Sequence, residues 1–122
     1  MPLKPIYTKE RFDNLIKDPR GIVTYAQHKK EPVPELEHII LQEDLAIYWY
    51  AYYVLHHRWP KGEQKLLKGT ESWSPNSFVL NQYAKNVIKE RWPAAEPIIS
   101  EDKSEWADYV KHFNILAELG KI

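Results

Sequence analysis

The chain has 122 residues, 17 basic and 17 acidic side chains, and no cysteine. The length suits one domain, the 43% apolar content is too high for a disordered segment, and the missing thiols exclude disulfides, thiolate catalysis and cysteine-ligated zinc together. No apolar run approaches the roughly twenty residues that a membrane-spanning helix needs, and Met1-Pro2-Leu3-Lys4-Pro5 lacks the apolar core of a signal peptide; the expectation is a cytoplasmic protein with no membrane partner.

Taken in chain order, the first expected element is a helix over about 9–17, capped by Thr8, with Phe12, Leu15 and Ile16 on one face. Asp18-Pro19 is a start signal, a capping side chain followed by a proline at the first helical position. It opens a helix over about 20–30 that carries Tyr25-Ala26. A second helix over about 44–57 places Ala46, Tyr50 and Val54 beside Ile47, Ala51 and Leu55, one broad apolar stripe. A third over about 76–90 repeats the pattern with Val79, Tyr83 and Val87 beside Leu80, Ala84 and Ile88. Ser74-Pro75 reads as its start signal. A last helix is expected over about 103–119, with Trp106, Val110, Phe113, Ile115, Leu116 and Leu119 apolar.

The second and third of these segments belong to a repeat. Tyr50-Ala51-x-x-Val54 superposes on Tyr83-Ala84-x-x-Val87, and Arg58-Trp59-Pro60-x-x-Glu63 on Arg91-Trp92-Pro93-x-x-Glu96, both at a shift of 33 residues. A worn first copy lies at shifts of 25 and 26, in Tyr25-Ala26 and Pro34-x-x-Glu37-x-x-Ile40. The longer step implies an insertion, placed at residues 68–75. A partial fourth helix follows, with Trp106, Ala107 and Val110. In copy one Gly21 and Lys29 stand where Ala and Val stand later, so its first helix is expected to be the weakest.

Proline punctuates each copy. Trp59 and Trp92 precede proline and are driven toward extended backbone, while Pro60 and Pro93 suit the first turn of a short second helix, about 60–67 and 93–99. Glu63 and Glu96 sit in that first turn, where a carboxylate complements the positive helix end. Such a unit cannot bury its stripe alone; stacking units can. The expected fold is all-α, short helix-turn-helix repeats stacked into a small solenoid-like domain, with repeats over about 18–42, 43–68 and 75–100.

The signature Tyr-Ala-x-x-Val followed by Arg-Trp-Pro-x-x-Glu resembles a short tandem helical repeat found in bacteriophage and some bacterial proteins. There, strings of Tyr-Ala precede Gly-Arg-Trp-Pro-Glu-Ala-Glu. The resemblance covers about residues 25–99 and rests on Tyr50, Ala51, Val54, Arg58, Trp59, Pro60 and Glu63 with their partners in copy three. It implies the repeat architecture and a phage-type origin, and it carries over no catalytic residue. Small phage accessory proteins are often inhibitors of host systems, so the resemblance implies a binder that inhibits a host defence complex, such as an anti-CRISPR.

Arg58/Glu63 and Arg91/Glu96 recur together and are read as turn-closing pairs, because a binding residue need not repeat while a fold-making one must. The copies differ at the remaining helix positions. Copy three carries Asn81, Gln82, Lys85, Asn86, Lys89 and Glu90, which read as an ordinary wet face; copy two carries Tyr48, Trp49, Tyr52, Tyr53, His56 and His57 there. The repeat does not require those aromatics. They are either covered by the N-terminal helices or an exposed patch of the kind that dominates binding hot spots. Tyr48, Trp49, Tyr52, Tyr53 and His56 are the candidate partner-binding residues, together with Trp73 in the polar insertion, whose alternative is a lid folded on the stripe.

Other chemistries find little footing. Adjacent His56 and His57 point about 100° apart on a helix, and there is no His-x-x-x-His, no His-Glu-x-x-His, no Gly-rich phosphate loop and no Ser/His/Asp grouping. No metal, cofactor or catalytic residue is expected. Charge is blocked: residues 1–30 hold seven Lys or Arg against three acids, and residues 31–51 hold five acids and no Lys or Arg. Such blocks are read as solvated faces or internal pairing. Nucleic-acid binding or mimicry is the alternative to a protein partner, disfavoured by the neutral total; a structural adaptor is the other.

Overall fold

The computed structural model describes residues 9, 13, 14 and 17–115. The expected helix over about 9–17 lies mostly outside the described residues, as do Leu116 and Leu119 of the last one. Among the described residues the regular structure is helical, and the sole β pairing is an isolated bridge between Thr70 and Trp73. No helix among them is long and apolar enough to cross a membrane.

Seven α-helices follow in order among described residues 17–115. They are α1 (Pro19–Lys29), α2 (Glu37–Ile40) behind a 3-10 turn at Pro34–Leu36, α3 (Asp44–Trp49), α4 (Pro60–Lys68), α5 (Ser77–Tyr83), α6 (Glu96–Ile99) and α7 (Lys103–His112). Two of the long helices continue in π-helical form, α3 as π1 (Tyr50–Leu55) and α5 as π2 (Ala84–Ile88). The long helices touch in chain order, α1 with α3, α3 with α5, and α5 with α7. The short α4 packs on α3 and α5, and α6 on α5 and α7. Ile22, Ala26, Ala46, Ile47, Tyr50, Ala51, Leu80, Tyr83, Ala84 and Tyr109 are fully buried between them.

The long helices start alike. Asp18, Asn76 and Asp102 are extended and accept from backbone N–H groups two or three residues on. Glu43 holds the same place before α3 without a capping bond, and its carboxylate pairs with Arg20 instead. The cap of α5 is therefore Asn76 rather than Ser74-Pro75: the Asn76 carboxamide reaches Phe78 and Val79, and Pro75 stays in the connection.

They end alike too. Lys30, His56, Lys89 and Asn114 each adopt the left-handed conformation, φ 61°, 58°, 63° and 58°, which terminates the helix. The spacing from the tyrosine seven residues after each cap position differs. From Tyr25 to Lys30 and from Tyr109 to Asn114 it is five residues; from Tyr50 to His56 and from Tyr83 to Lys89 it is six. The extra residue is absorbed as the π turns, closed by His56 N–H to the Ala51 carbonyl and Lys89 N–H to the Ala84 carbonyl, both 2.8 Å. The wider turn also moves Val54, Leu55, Val87 and Ile88 off the fully buried stripe; all four are half-buried.

One clasp recurs at each turn. Tyr50 Oη accepts from Val33 N–H (3.0 Å) and donates to Glu37 (2.6 Å). Tyr83 Oη accepts from Trp59 N–H (2.9 Å) and donates to Glu63 (2.8 Å). Tyr109 Oη accepts from Trp92 N–H (2.8 Å) and donates to Glu96 (2.7 Å). Each phenol thus satisfies a buried N–H just before a proline-started turn and holds the acid of that turn. Arg58 and Arg91 fork onto the same two acids through Nε and Nη2, with N···O distances from 2.6 to 3.0 Å. Copy one has Pro32 in place of the arginine and Val33 in place of the tryptophan, yet keeps the tyrosine–glutamate bond. The clasp does not need the arginine.

The insertion folds back. Gly69 (φ 77°) turns the chain, and a Cβ there would meet the Trp73 carbonyl oxygen at 2.6 Å. Trp73 packs half-buried against the core, and its Nε1–H donates to the Gln42 carbonyl at 2.9 Å.

Candidate functional site

The α3–π1 helix carries the aromatic surplus of the sequence, and the structure divides it. Tyr48 is half-buried against the next helix, where its hydroxyl accepts from Asn86 Nδ2 at 2.8 Å; burial pushes its phenol above the ordinary value, and the Asn86 bond only partly offsets this. Trp49 is half-buried with the Arg20 guanidinium over its ring, 5.6 Å from the centroid. Both contacts lie within the chain. Tyr52 and Tyr53 face outward, 39% and 47% exposed. Their rings meet edge to face at 4.7 Å, and Tyr48 abuts Tyr52 at 5.9 Å.

A groove of about 340 Å³ lies between π1 and π2. Ala51 and Val87 supply apolar lining, and Tyr52, Tyr53, His56, Asn86 and Lys89 the polar groups. Both π turns contribute, so the extra residue in each central helix decides which side chains face the groove. Trp73 does not line it. The structure therefore joins Tyr52, Tyr53 and His56 in one place, puts Tyr48 behind them, and sends Trp49 and Trp73 to other contacts.

The expected wet face of copy three is only partly one. Lys89 and Glu90 are exposed, but Asn81 is fully buried and Lys85 half-buried where α7 packs on α5, and Gln82 and Asn86 are half-buried on the side of Tyr48. Asn81 Nδ2 donates to Glu105 and Asp108 at 2.9 Å each, and Lys85 Nζ lies 2.5 Å from Asp108. The Lys85 bond and then the Asn81 bond hold the Asp108 carboxyl below its ordinary value. Asn81 Oδ1 is buried with no partner among the described residues.

Chemically the groove offers two phenols, an imidazole, an amide and an ammonium over an apolar floor, a set suited to noncovalent recognition. Among the described residues no three His, Asp or Glu side chains converge as a metal site. The His57 ring lies on the Arg58 carbonyl, 2.7 Å from Nδ1, away from His56's place in the groove. No family model, curated protein or solved structure matches the chain.

Tyr109 was missed in the sequence as the fourth member of the tyrosine series. A signal was present: Asp18–Tyr25, Glu43–Tyr50, Asn76–Tyr83 and Asp102–Tyr109 share one spacing from cap to phenol. Trp106-Ala107, expected to begin the partial fourth copy, stands one turn before that tyrosine position.

Proposed function

We propose that the protein is a non-enzymatic interaction module, helix-turn-helix units stacked in a small solenoid-like array, which binds a protein partner through the outer face of its central unit. The tyrosine clasps support the stacking, since each one joins a long helix to the turn of the unit before it. The observation that carries the binding reading is the exposure of Tyr52 and Tyr53. The corresponding positions of the other long helices hold Gln27 and His28, Lys85 and Asn86, and Lys111 and His112. Two large exposed aromatics side by side are thus peculiar to one unit and serve no contact that the repeat demands. The resemblance of the signature to phage-associated repeats extends the proposal to an inhibitor of a host defence complex, of the anti-CRISPR kind, acting by occupying a partner surface.

The test compares the wild-type chain with Tyr52→Ala/Tyr53→Ala in capture from host lysate, followed by titration against the purified captured protein. A partner held by the wild type and lost by the double variant, at unchanged thermal stability, supports the reading. A partner held equally by both, or none at all, overturns it.

A further inference from the structure

A second groove of about 270 Å³ lies between α1 and π1, lined by Ala26, Gln27, Lys30, Tyr53, Val54 and His56. Tyr53 and His56 border both grooves. The two grooves adjoin at these side chains and together make a trough at the C-terminal ends of three neighbouring long helices; Lys30 lines one of them, Lys89 the other and His56 both.

We propose that this trough takes an extended acidic peptide segment of a partner protein, with carboxylates at Lys30 and Lys89 and an apolar side chain over Ala51 and Val87 beside Tyr53. The inference rests on the protein-binding reading above and names the chemistry of the partner.

The charge is of one sign. Among the described residues no carboxylate lines either groove and no acid pairs with Lys30 or Lys89. The backbone adds an independent observation. Lys30, His56 and Lys89 all sit at positive φ, where glycine meets no steric penalty and asparagine a reduced one. Asn114, whose helix α7 lies outside the trough, follows that preference. The three helix ends in the trough carry instead long side chains that line it. A cation also complements a helix C-terminus, and the test below separates that role from ligand binding.

The dimensions fit a short segment. Packed helices lie about 8–10 Å apart, so two steps take Lys30 to Lys89 across roughly 18 Å, the span of about six extended residues. A nucleic acid suits the site less well. Its affinity grows with the number of phosphates neutralised, and the trough offers two lysines on a chain of zero net charge.

The test is a fluorescence-anisotropy titration of the full chain at low salt. The probes are fluorescein-labelled Asp-Glu-Leu-Phe-Leu-Glu-Asp, its counterpart Lys-Lys-Leu-Phe-Leu-Lys-Lys, and a labelled single-stranded oligothymidylate. The acidic peptide is expected to bind at least about ten-fold more tightly than either other probe. Lys30→Gly/Lys89→Gly is expected to weaken it by about ten-fold or more, with the thermal midpoint unchanged or raised, since glycine relieves the left-handed strain. Equal binding of the two peptides, tighter binding of the oligonucleotide, no binding of the acidic peptide, or wild-type affinity in the lysine variant would each overturn the proposal. If a captured partner is lost by Tyr52→Ala/Tyr53→Ala but kept by Lys30→Gly/Lys89→Gly, the interaction reading stands and the acidic-segment inference fails. A partner kept by both variants removes both.

Discussion

The phenol of Tyr83 stands between two groups of the preceding turn, accepting from Trp59 N–H at 2.9 Å and donating to Glu63 at 2.8 Å. Tyr83 is fully buried, so water cannot replace its hydroxyl without opening the core. The bond joins residues 24 apart in sequence. It converts a local device, proline after an extended tryptophan, into a junction between helices.

Removing that hydroxyl leaves the Trp59 N–H buried and unpaired. Tyr83→Phe is expected to lower stability by about 1–3 kcal/mol, read as a shift of the urea midpoint at unchanged slope. Tyr50→Phe and Tyr109→Phe should act similarly. Tyr53→Phe, on the exposed face, should change almost nothing; an equal loss there would contradict the assignment of the clasps.

The same junctions predict acid sensitivity. Burial alone would raise the Glu63 carboxyl, but the Arg58 fork and the Tyr83 phenol outweigh it and hold it below its ordinary value of 4.5. The Arg91 bond does the same for Glu96 against weaker burial. A depressed folded value means that the stabilisation is present above the ordinary carboxylate range and is lost as pH falls through the lower folded values. Stability should therefore drop with acidification below about pH 4.5. In Glu63→Gln/Glu96→Gln the drop should flatten, with lower stability at neutral pH. A drop as steep in this variant as in the wild type would place the titrating groups elsewhere.

Alkaline unfolding carries the opposite sign. Burial, with the bond to Glu96 adding to it, pushes the Tyr109 phenol up to about 12 despite the opposing Trp92 bond. A raised folded value means that its contribution is complete below the ordinary value of 10.0 and is lost as pH rises toward the folded one. The wild type should lose stability above about pH 10, and Tyr109→Phe should lose less over that range. An identical alkaline slope in the two proteins would contradict this.

Gly62 lies where copy three has Ala95 and copy one has Leu36. A Cβ at Gly62 would meet Ile47 Cγ2 at 2.6 Å and the Trp59 ring at 2.7 Å. Gly62→Ala is thus expected to cost about 1–3 kcal/mol through overpacking, outweighing the roughly 1 kcal/mol by which alanine favours a helix. Chemical denaturation measures the balance, and a stabilised variant would show that Trp59 can move aside. Gly69→Ala should also destabilise, through its positive φ and the Trp73 carbonyl oxygen.

Trp73 pins the insertion to the first repeat. Trp73→Phe removes the donor to the Gln42 carbonyl and should cost about 0.5–1.5 kcal/mol, while Trp73→Ala should cost more by also losing its packing on the core. Amide exchange at Thr70 and Trp73, which bond to each other at 2.8 and 3.3 Å, should accelerate in the alanine variant. Unchanged exchange there would mean that the turn holds without the indole.

Much of the helical plan could be read from the chain. Asp18 before Pro19, proline at 60 and the stripe at 46, 47, 50 and 51 act within one or two turns, so their spacing carries the information. The pairing of Arg58 with Glu63 was legible for the same reason, being five residues apart. The candidate site was legible only as a list. The contrast between copies two and three marks Tyr48, Trp49, Tyr52, Tyr53 and His56, and the insertion marks Trp73, but nothing in their order separates exposed Tyr52 and Tyr53 from half-buried Tyr48, Trp49 and Trp73. The period of an α-helix also hides a π turn, which moves each later side chain around the axis.

By itself the sequence determined the all-helical character, the turn chemistry and the positions of the long helices, because caps, prolines and apolar periodicity are local. Only the tertiary structure decided that Asn81 is buried under α7, that Trp73 reaches Gln42, and that Tyr53 stands between two grooves. Each of those depends on a partner brought from another helix, and the free energy of such a contact is set by packing distances that no local spacing encodes.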